Sequence, residues 1–384
     1  MEQLINSRVK NIEISGIRKF FNMVANSPDL VSLTIGQPDF PTPEHVKEAG
    51  IRAIADNFTT YTHNAGFPEL RKAACEFVQQ KYGLTYDFET EVIVTVGASQ
   101  AIDIAFRTIL EEDCEVVLPG PVYPGYEPII KMCGAKPVYV DTRENGFRMT
   151  AELVEPFINK NTRCIVLPYP SNPTGVTLSE QEILDLVNLL KDKQIWILSD
   201  EIYSELVYAH THQSIAKWLR EKTIVVNGLS KSHSMTGWRI GFLFAPAFIA
   251  KHMLKVHQYN VSCTSSISQK AALEALTLGF NDAQYMREQY MKRLNYTYKR
   301  LVEMGLEVEK PTGAFYMFPS IQKFGKTSFD FALDLVKQAG VAVVPGSAFS
   351  QYGEGYVRLS YAYSLETLEK GLDRLERYIK TISK

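Results

Sequence analysis

The stretch Gly228-Leu-Ser-Lys231-Ser-His-Ser-Met-Thr-Gly237-Trp-Arg239-Ile-Gly241 separates two strand-like apolar runs. Its lysine has no Asp, Glu, Lys or Arg within seven residues on either side. A lysine buried without a carboxylate partner has a lowered pKa, and such an amine is a good nucleophile. A solvent-exposed loop lysine fits these residues equally well, so the choice depends on the rest of the chain.

The bulk composition is typical of a globular protein with two domains. The 384 residues exceed the length of one ordinary domain, and 45% of them are hydrophobic and 22% charged. The formal net charge of −2 gives no reason to expect a nucleic acid or an anionic membrane as partner. No apolar run approaches the roughly 20 residues that cross a bilayer, and we expect no signal peptide at the N-terminus.

The cysteines and histidines favour neither disulfides nor a metal site. The five cysteines are odd in number and widely spaced, so we expect free thiols in a reducing cytoplasm. His210 and His212 could form a metal pair, but no further ligand cluster lies nearby in the sequence. A solvated loop is the favoured interpretation there, and we expect a cytoplasmic protein without a metal.

Strand-like and helix-like runs alternate from Glu91 onwards. Seven short apolar runs predict strands, at 92–96, 115–118, 136–140, 164–167, 195–199, 223–227 and 240–244. Helical stretches between several of them favour an α/β fold with a mostly parallel sheet covered on both faces. A long charged helix then leads into a shorter α+β segment. We expect a large domain over 44–282 and a small domain formed by 1–43 plus 283–384.

Residues suited to ligand binding follow several of the predicted strands, where open α/β sheets bind their ligands. Gly97-Ala98-Ser99, predicted as a tight turn before a helix over 100–110, would offer backbone N–H groups to an anion such as phosphate. Tyr123 could stack on a planar ring, Asn172 lies on a proline-rich loop, and Asp200 ends an apolar strand. Each of these features alone is also common in turns without a function.

Two nucleotide-binding motifs are excluded. No GxGxxG follows a predicted strand. The segment Phe324-Gly-Lys-Thr327 resembles the end of a phosphate loop, but Ser320 replaces the required first glycine and no strand precedes it.

Four motifs in this order resemble the signature of the class I aminotransferases, which are pyridoxal-phosphate enzymes of fold type I. They are Asn172-Pro-Thr-Gly175, Ser199-Asp-Glu-Ile-Tyr203, Ser230-Lys231-x3-Met-Thr-Gly-Trp-Arg239-x-Gly241 and Tyr356-Val-Arg358-Leu-Ser. The resemblance runs from about Leu33 to the last helix. It implies a large domain with a mostly parallel seven-stranded sheet flanked by helices, a smaller α+β domain, and exchange of an amino group between an amino acid and a 2-oxo acid.

The resemblance also implies a role for individual residues. Lys231 would hold pyridoxal phosphate as a Schiff base and shuttle a proton, Asp200 would pair with the pyridine nitrogen, and Tyr203 would bind the 3-oxygen. The other residues implied to bind the cofactor are Ala98, Ser99, Tyr123, Asn172, Arg239 and, reaching the neighbouring subunit, Tyr61. The residues implied to bind the substrate α-carboxylate are Arg358, Asn172 and Gly36. Because Tyr61 would reach across, the resemblance implies a homodimer with shared active sites.

Two positions depart from the family pattern or are not covered by it. Many members carry a phosphate-binding serine three residues before the lysine, where this chain has Gly228, and Ser230 could contribute instead. For the distal end of the substrate, Arg18 in the N-terminal arm is a candidate ligand of a carboxylate. An exposed arm arginine fits that position equally well.

Longer shared stretches, at 14–20, 167–179, 226–235 and 255–263, resemble the branch of the family that acts on an N-acetylated diaminopimelate in lysine biosynthesis. This implies 2-oxoglutarate as amino acceptor. The alternatives are an aspartate or aromatic amino acid aminotransferase and a C–S β-lyase of the same fold. A regulator built on this fold would carry a basic N-terminal DNA-binding module, which we do not expect here.

Overall fold

The computed structural model describes residues 1–14, 16–24 and 29–383, without the side chains of Arg18 and Lys19. Within these residues the strands are Val31–Ser32 (β1), Val92–Thr95 (β2), Glu115–Gly120 (β3), Lys136–Asp141 (β4), Thr162–Leu167 (β5), Trp196–Asp200 (β6), Thr223–Gly228 (β7), Gly241–Phe244 (β8), Tyr316–Met317 (β9), Val341–Ala342 (β10), Val344–Pro345 (β11) and Val357–Ser360 (β12). The α-helices are Ser7–Lys10 (α1), Gly16–Val24 (α2), Glu44–Ala55 (α3), Pro68–Tyr82 (α4), Gly97–Ile109 (α5), Tyr126–Met132 (α6), Ala151–Val154 (α7), Glu180–Leu190 (α8), Ala216–Leu219 (α9), Leu229–Ser232 (α10), Ala247–Val261 (α11), Ser266–Leu276 (α12), Ala283–Glu303 (α13), Ser328–Ala339 (α14) and Leu365–Ile382 (α15).

The strands β2 to β8 form one seven-stranded sheet in the order β2-β8-β7-β6-β5-β3-β4. All neighbouring strands in it are parallel except β8, which is antiparallel to both β2 and β7. The strands β2 and β7 are buried along their whole length, as expected for a sheet with helices on both faces. The predicted fold class, an α/β fold with a mostly parallel seven-stranded sheet, is therefore confirmed.

Local sequence signals explain where several helices begin and end. Helix α4 has Pro68 at its first position, where a missing N–H costs nothing. The same helix is followed by Gly83, whose φ of +71° is a left-handed conformation that glycine adopts without strain. Helix α8 begins with a capping box, in which the Ser179 side chain and the Glu182 backbone N–H pair, and the Glu182 carboxylate binds back to Ser179.

The expectation of a separate turn at 97–99 is wrong, because these residues form the first turn of α5. Gly97 has a φ of +73°, which allows the chain to pass from β2 into the helix without an intervening loop. The Oε1 of Gln100 accepts the N–H of Val96 at 2.7 Å and so holds the junction from within the helix.

The rest of the chain is organised around two small sheets. The strands β11, β12 and β9 form an antiparallel sheet in that order, and β1 pairs in parallel with β10. The pairing of β1 with β10 joins the N-terminal part of the chain to the C-terminal part. Buried side chains of α2, α13, α14 and α15 belong to the same hydrophobic core. The division into domains over 44–282 and over 1–43 plus 283–384 stays a prediction.

None of the helices in the described residues is both long enough and apolar enough to cross a membrane.

Candidate active site

A cavity of about 900 Å³ opens at the carboxyl ends of β5, β6 and β7. Most of the residues predicted for the site line it, and these are Gly36, Ala98, Ser99, Tyr123, Asn172, Asp200, Tyr203, Lys231, Arg239 and Arg358. Two predicted residues do not belong to that set. Tyr61 is 85% exposed and does not line the cavity, and the side chain of Arg18 lies outside the described residues.

Lys231 lies on the single turn of α10, directly after β7, and its side chain is half-buried. Its Nζ donates a hydrogen bond to the carbonyl oxygen of Gly36 at 2.6 Å. The pKa of this amine is lowered to about 8, mainly by burial and also by the positive charges of Arg358 and Arg239, while Asp200 opposes the shift. An amine with this pKa is partly neutral near pH 8 and can act as a nucleophile.

Asp200 ends β6 at the floor of the cavity and is 7% exposed. The hydroxyl of Tyr126 donates to its Oδ2 at 2.6 Å, and the backbone N–H of Ile202 donates to its Oδ1 at 3.2 Å. Burial raises the pKa of the Asp200 carboxyl to about 6, and these two hydrogen bonds limit the rise. The group is therefore mostly charged at neutral pH and suited to pair with a cation in the cavity.

Arg358, in the middle of β12, is 2% exposed and brings a positive charge to the opposite wall. Its Nη1 donates to the Oδ1 of Asn172 at 2.9 Å and its Nη2 donates to the carbonyl oxygen of Thr34 at 2.6 Å. Burial lowers the pKa of its guanidinium. Its Nε is buried and has no hydrogen-bond partner among the described residues. Unused donors on a planar fork suit a carboxylate ligand.

The start of α5 and Arg239 form the anion-binding end of the cavity. The first N–H groups of a helix have no partner within the helix, and Ala98 and Ser99 occupy these positions. A Cβ at Gly97 would lie 2.4 Å from the Nη2 of Arg239, so the guanidinium lies directly against the helix start. Arg239 itself has a left-handed φ of +57°, which costs a residue with a side chain about 1 kcal/mol. The backbone amides and the guanidinium together favour a phosphate-like anion.

The glycine at position 228 is explained by close packing of two strands. Gly228 in β7 pairs with Gly241 in β8. A Cβ at Gly228 would lie 2.9 Å from the carbonyl oxygen of Ile240, so a serine would not fit without a shift of the backbone. Ser230, the residue considered as its replacement, lines the cavity and is 7% exposed.

Several residues of the site were missed by sequence reasoning. Tyr126 and Tyr316 line the cavity, although neither belongs to the four motifs. Helix α2 contributes further lining residues, namely Ile17, Phe21 and Asn22. An aromatic residue within the turn 119–126 and within the segment 313–318 was visible in the sequence, but the partner of each hydroxyl was not.

The expectation of a solvated loop at His210 and His212 is wrong for His212. This ring is 8% exposed, and its Nε2 lies 3.0 Å from the Oε2 of the buried Glu201. The residues around His212 in the sequence are polar and did not indicate that the ring packs against Glu201, which directly follows β6. No group of three or more possible metal ligands occurs in the described residues.

Comparison with known proteins agrees with this geometry. The family model "Aminotransferase class I and II" matches residues 28–375, and the chain belongs to this family. It is an aminotransferase of fold type I that depends on pyridoxal phosphate.

Individual relatives show which members of this family the chain resembles. The chain is 65% identical to a probable N-acetyl-LL-diaminopimelate aminotransferase of Bacillus subtilis (strain 168), over 99% of this chain and 96% of that protein. Among solved structures, an aromatic aminotransferase of Pyrococcus horikoshii OT3 is 39% identical with a TM-score of 0.90, covering 96% of this chain and 99% of that one. A single mutant of Thermus thermophilus aspartate aminotransferase is 37% identical with a TM-score of 0.93, covering 97% and 99%. The similarity therefore extends over both ends of the chain.

Proposed function

We propose that this aminotransferase transfers an amino group between N-acetyl-L,L-2,6-diaminopimelate and 2-oxoglutarate, as a step of lysine biosynthesis. The observation that carries the proposal is the 65% identity to the Bacillus subtilis protein named for that substrate, over nearly the whole of both chains. The lining of the cavity supports it. Ile17, Phe21, Asn22 and Gln37 belong to that lining and carry no charge, which suits the acetamide of a long substrate.

The cavity fits pyridoxal phosphate because it combines an anion-binding end, a ring surface and a carboxylate. When bound, the cofactor supplies an aldehyde for amines and a ring that withdraws electrons from the adjacent carbon. The start of α5 and Arg239 would hold the phosphate, and Tyr123 would lie against the ring. Asp200 would pair with the protonated ring nitrogen, while Tyr203 and Asn172 would donate to the 3-oxygen.

Arg358 and Lys231 act on the substrate in this proposal. The guanidinium of Arg358 binds the α-carboxylate with its fork, and the amide of Asn172 keeps that fork in place. The neutral amine of Lys231 would accept the proton from the substrate Cα and hold it for transfer within the site. The carbonyl oxygen of Gly36, which accepts a hydrogen bond from Nζ at 2.6 Å, orients this amine.

A homodimer with shared active sites is part of the proposal. Tyr61 is 85% exposed, and the nearby Ile51, Ile54 and Phe58 are 65%, 57% and 37% exposed. Exposed apolar patches mark sites of protein interaction, and we infer that these four side chains contribute to the subunit interface. Tyr61 would reach the cofactor phosphate of the neighbouring subunit from this surface. A cytoplasmic location is also proposed, since all five cysteines are free.

The experiment is a half-reaction in which the purified enzyme, loaded with cofactor, is mixed with one amino donor at a time and no oxo acid. N-acetyl-L,L-diaminopimelate is expected to change the absorbance of the bound cofactor fastest, and 2-oxoglutarate to restore it. A faster change with aspartate or an aromatic amino acid would favour the alternative substrates, which are in the names of relatives near 40% identity. Release of pyruvate and ammonia without an oxo acid would indicate a β-lyase and contradict the proposal.

A further inference from the structure

Tyr316 lies where three parts of the site meet. It belongs to β9, is 1% exposed and lines the cavity. Its hydroxyl oxygen lies 2.8 Å from that of Tyr203. The guanidinium of Arg358 lies over the ring of Tyr316, with the guanidinium carbon 4.4 Å from the ring centroid. A Cβ at Gly36 would lie 2.7 Å from its hydroxyl oxygen, so the tyrosine also touches the segment that accepts from Lys231.

The hydrogen bond between the hydroxyls of Tyr203 and Tyr316 has a defined direction once a bound cofactor is considered. A tyrosine hydroxyl has one proton to donate. If Tyr203 donates this proton to the 3-oxygen of the cofactor, it cannot donate to Tyr316 as well. Tyr316 must then be the donor in the 2.8 Å contact. Accepting that hydrogen bond polarises the Tyr203 hydroxyl and strengthens its own donation, since chains of hydrogen bonds are cooperative.

The ring of Tyr316 has a second role, which is to support the guanidinium of Arg358. Arg358 is buried, and two of its nitrogens are directed by Asn172 and Thr34. The face of Tyr316 supports the same guanidinium by a cation–π contact in a desolvated site. We propose that Tyr316 is a positioning residue for the reaction, whose hydroxyl donates to Tyr203 and whose ring supports Arg358. Tyr316 thereby positions both Tyr203, which would bind the cofactor, and Arg358, which would bind the substrate carboxylate.

This inference rests on the roles proposed for Tyr203 and Arg358, and its test separates them. The first readout is the apparent pKa of the bound cofactor, obtained by following its absorbance as the pH is varied without substrate. Tyr316→Phe is expected to raise it by about half a unit, because donation to the 3-oxygen weakens. Tyr203→Phe is expected to raise it by about one unit, and the double variant to match Tyr203→Phe, because Tyr316 acts through Tyr203.

The second readout is the dissociation constant of succinate, an unreactive carboxylate, followed by the same absorbance. Tyr316→Phe keeps the ring and is expected to change it less than about twofold, whereas Tyr316→Leu weakens binding about fivefold. Tyr361→Phe is the matched control, since its buried hydroxyl binds the carbonyl oxygen of Ala314 and does not line the cavity. Thermal unfolding of each apoprotein checks that the variants are folded.

Each contrary outcome points to one cause. A shift with Tyr203→Phe but none with Tyr316→Phe would overturn the positioning role. Additive shifts in the double variant would overturn it as well, because Tyr316 would then act independently of Tyr203. No shift with Tyr203→Phe would overturn the proposed role of Tyr203 and with it the hydroxyl part of this inference. Equal succinate binding by the Phe and Leu variants would overturn the support of Arg358.

Discussion

The Nη1 of Arg358 donates to the Oδ1 of Asn172 at 2.9 Å, although 186 positions separate the two residues in the chain. Arg358 lies on a strand of the small antiparallel sheet, and Asn172 follows a strand of the large sheet. The hydrogen bond therefore places the proposed carboxylate anchor beside the proposed cofactor. This arrangement gives the first prediction.

Arg358→Lys is expected to raise KM for every amino donor at least about tenfold, because a lysine cannot form two parallel hydrogen bonds with a carboxylate. Steady-state kinetics with several donors measure the effect. Arg300→Lys is the control, since Arg300 pairs with Asp373 and Glu376 and does not line the cavity. An unchanged KM for all donors would remove Arg358 from the substrate site.

Lys231 in the apoprotein is expected to react with an amine-acylating reagent along a pH curve with its midpoint near 8, because only the neutral amine reacts and its pKa is lowered to about 8. Peptide mass spectrometry measures the extent of modification at each pH. The hydrogen bond to Asp113 raises the pKa of the exposed Lys136, which is therefore the internal control and should react at distinctly higher pH. A shared midpoint for both lysines would contradict the lowered pKa.

Tyr126→Phe is expected to raise the pKa of Asp200 above about 6, because the lost hydrogen bond favours the charged carboxylate. Asp200 must be charged to pair with a cation, so the affinity of the apoprotein for pyridoxal phosphate falls as pH falls through this pKa. The acidic limb of the pH profile of cofactor binding to the apoprotein should therefore move upward by about half a unit. Tyr169→Phe, which removes a buried hydroxyl bound to Phe147, should leave that limb in place. An unmoved limb in Tyr126→Phe would refute the prediction.

Arg18→Ala is expected to raise KM mainly for donors with a distal carboxylate, and to change KM for other donors less than about twofold. The side chain of Arg18 lies outside the described residues, but its helix α2 contributes Ile17, Phe21 and Asn22 to the cavity. Lys10→Ala, an exposed cation of the neighbouring α1, serves as control. Equal losses on all donors would show that Arg18 does not select the distal group.

Much of the large sheet could be predicted from the sequence, because its buried strands are short apolar runs bounded by turns. The pairing of the two-residue strands β9, β10 and β11 could not be predicted, since it depends on distant partners. The long helices α11 and α12 were also missed. Their buried faces include polar residues, such as His257 in α11 and Ser268 and Gln269 in α12, so no clear apolar stripe is visible in the sequence.

The candidate site shows the same limit. Family motifs pointed to Lys231, Asp200 and Arg358, which all line one cavity. The hydroxyl contacts of Tyr126 and Tyr316 join residues that are 74 and 113 positions apart. No local sequence pattern predicts such contacts, because they form only when distant parts of the chain pack together.

The central claim is that Lys231 carries the cofactor, and one measurement tests it most directly. The purified enzyme with bound pyridoxal phosphate is reduced with borohydride, digested and mapped by peptide mass spectrometry. We expect a single phosphopyridoxyl group on the peptide that contains Lys231, and none in the folded Lys231→Ala variant treated in the same way. A group on another lysine in the wild-type enzyme, or an unchanged adduct in the variant, would contradict the account.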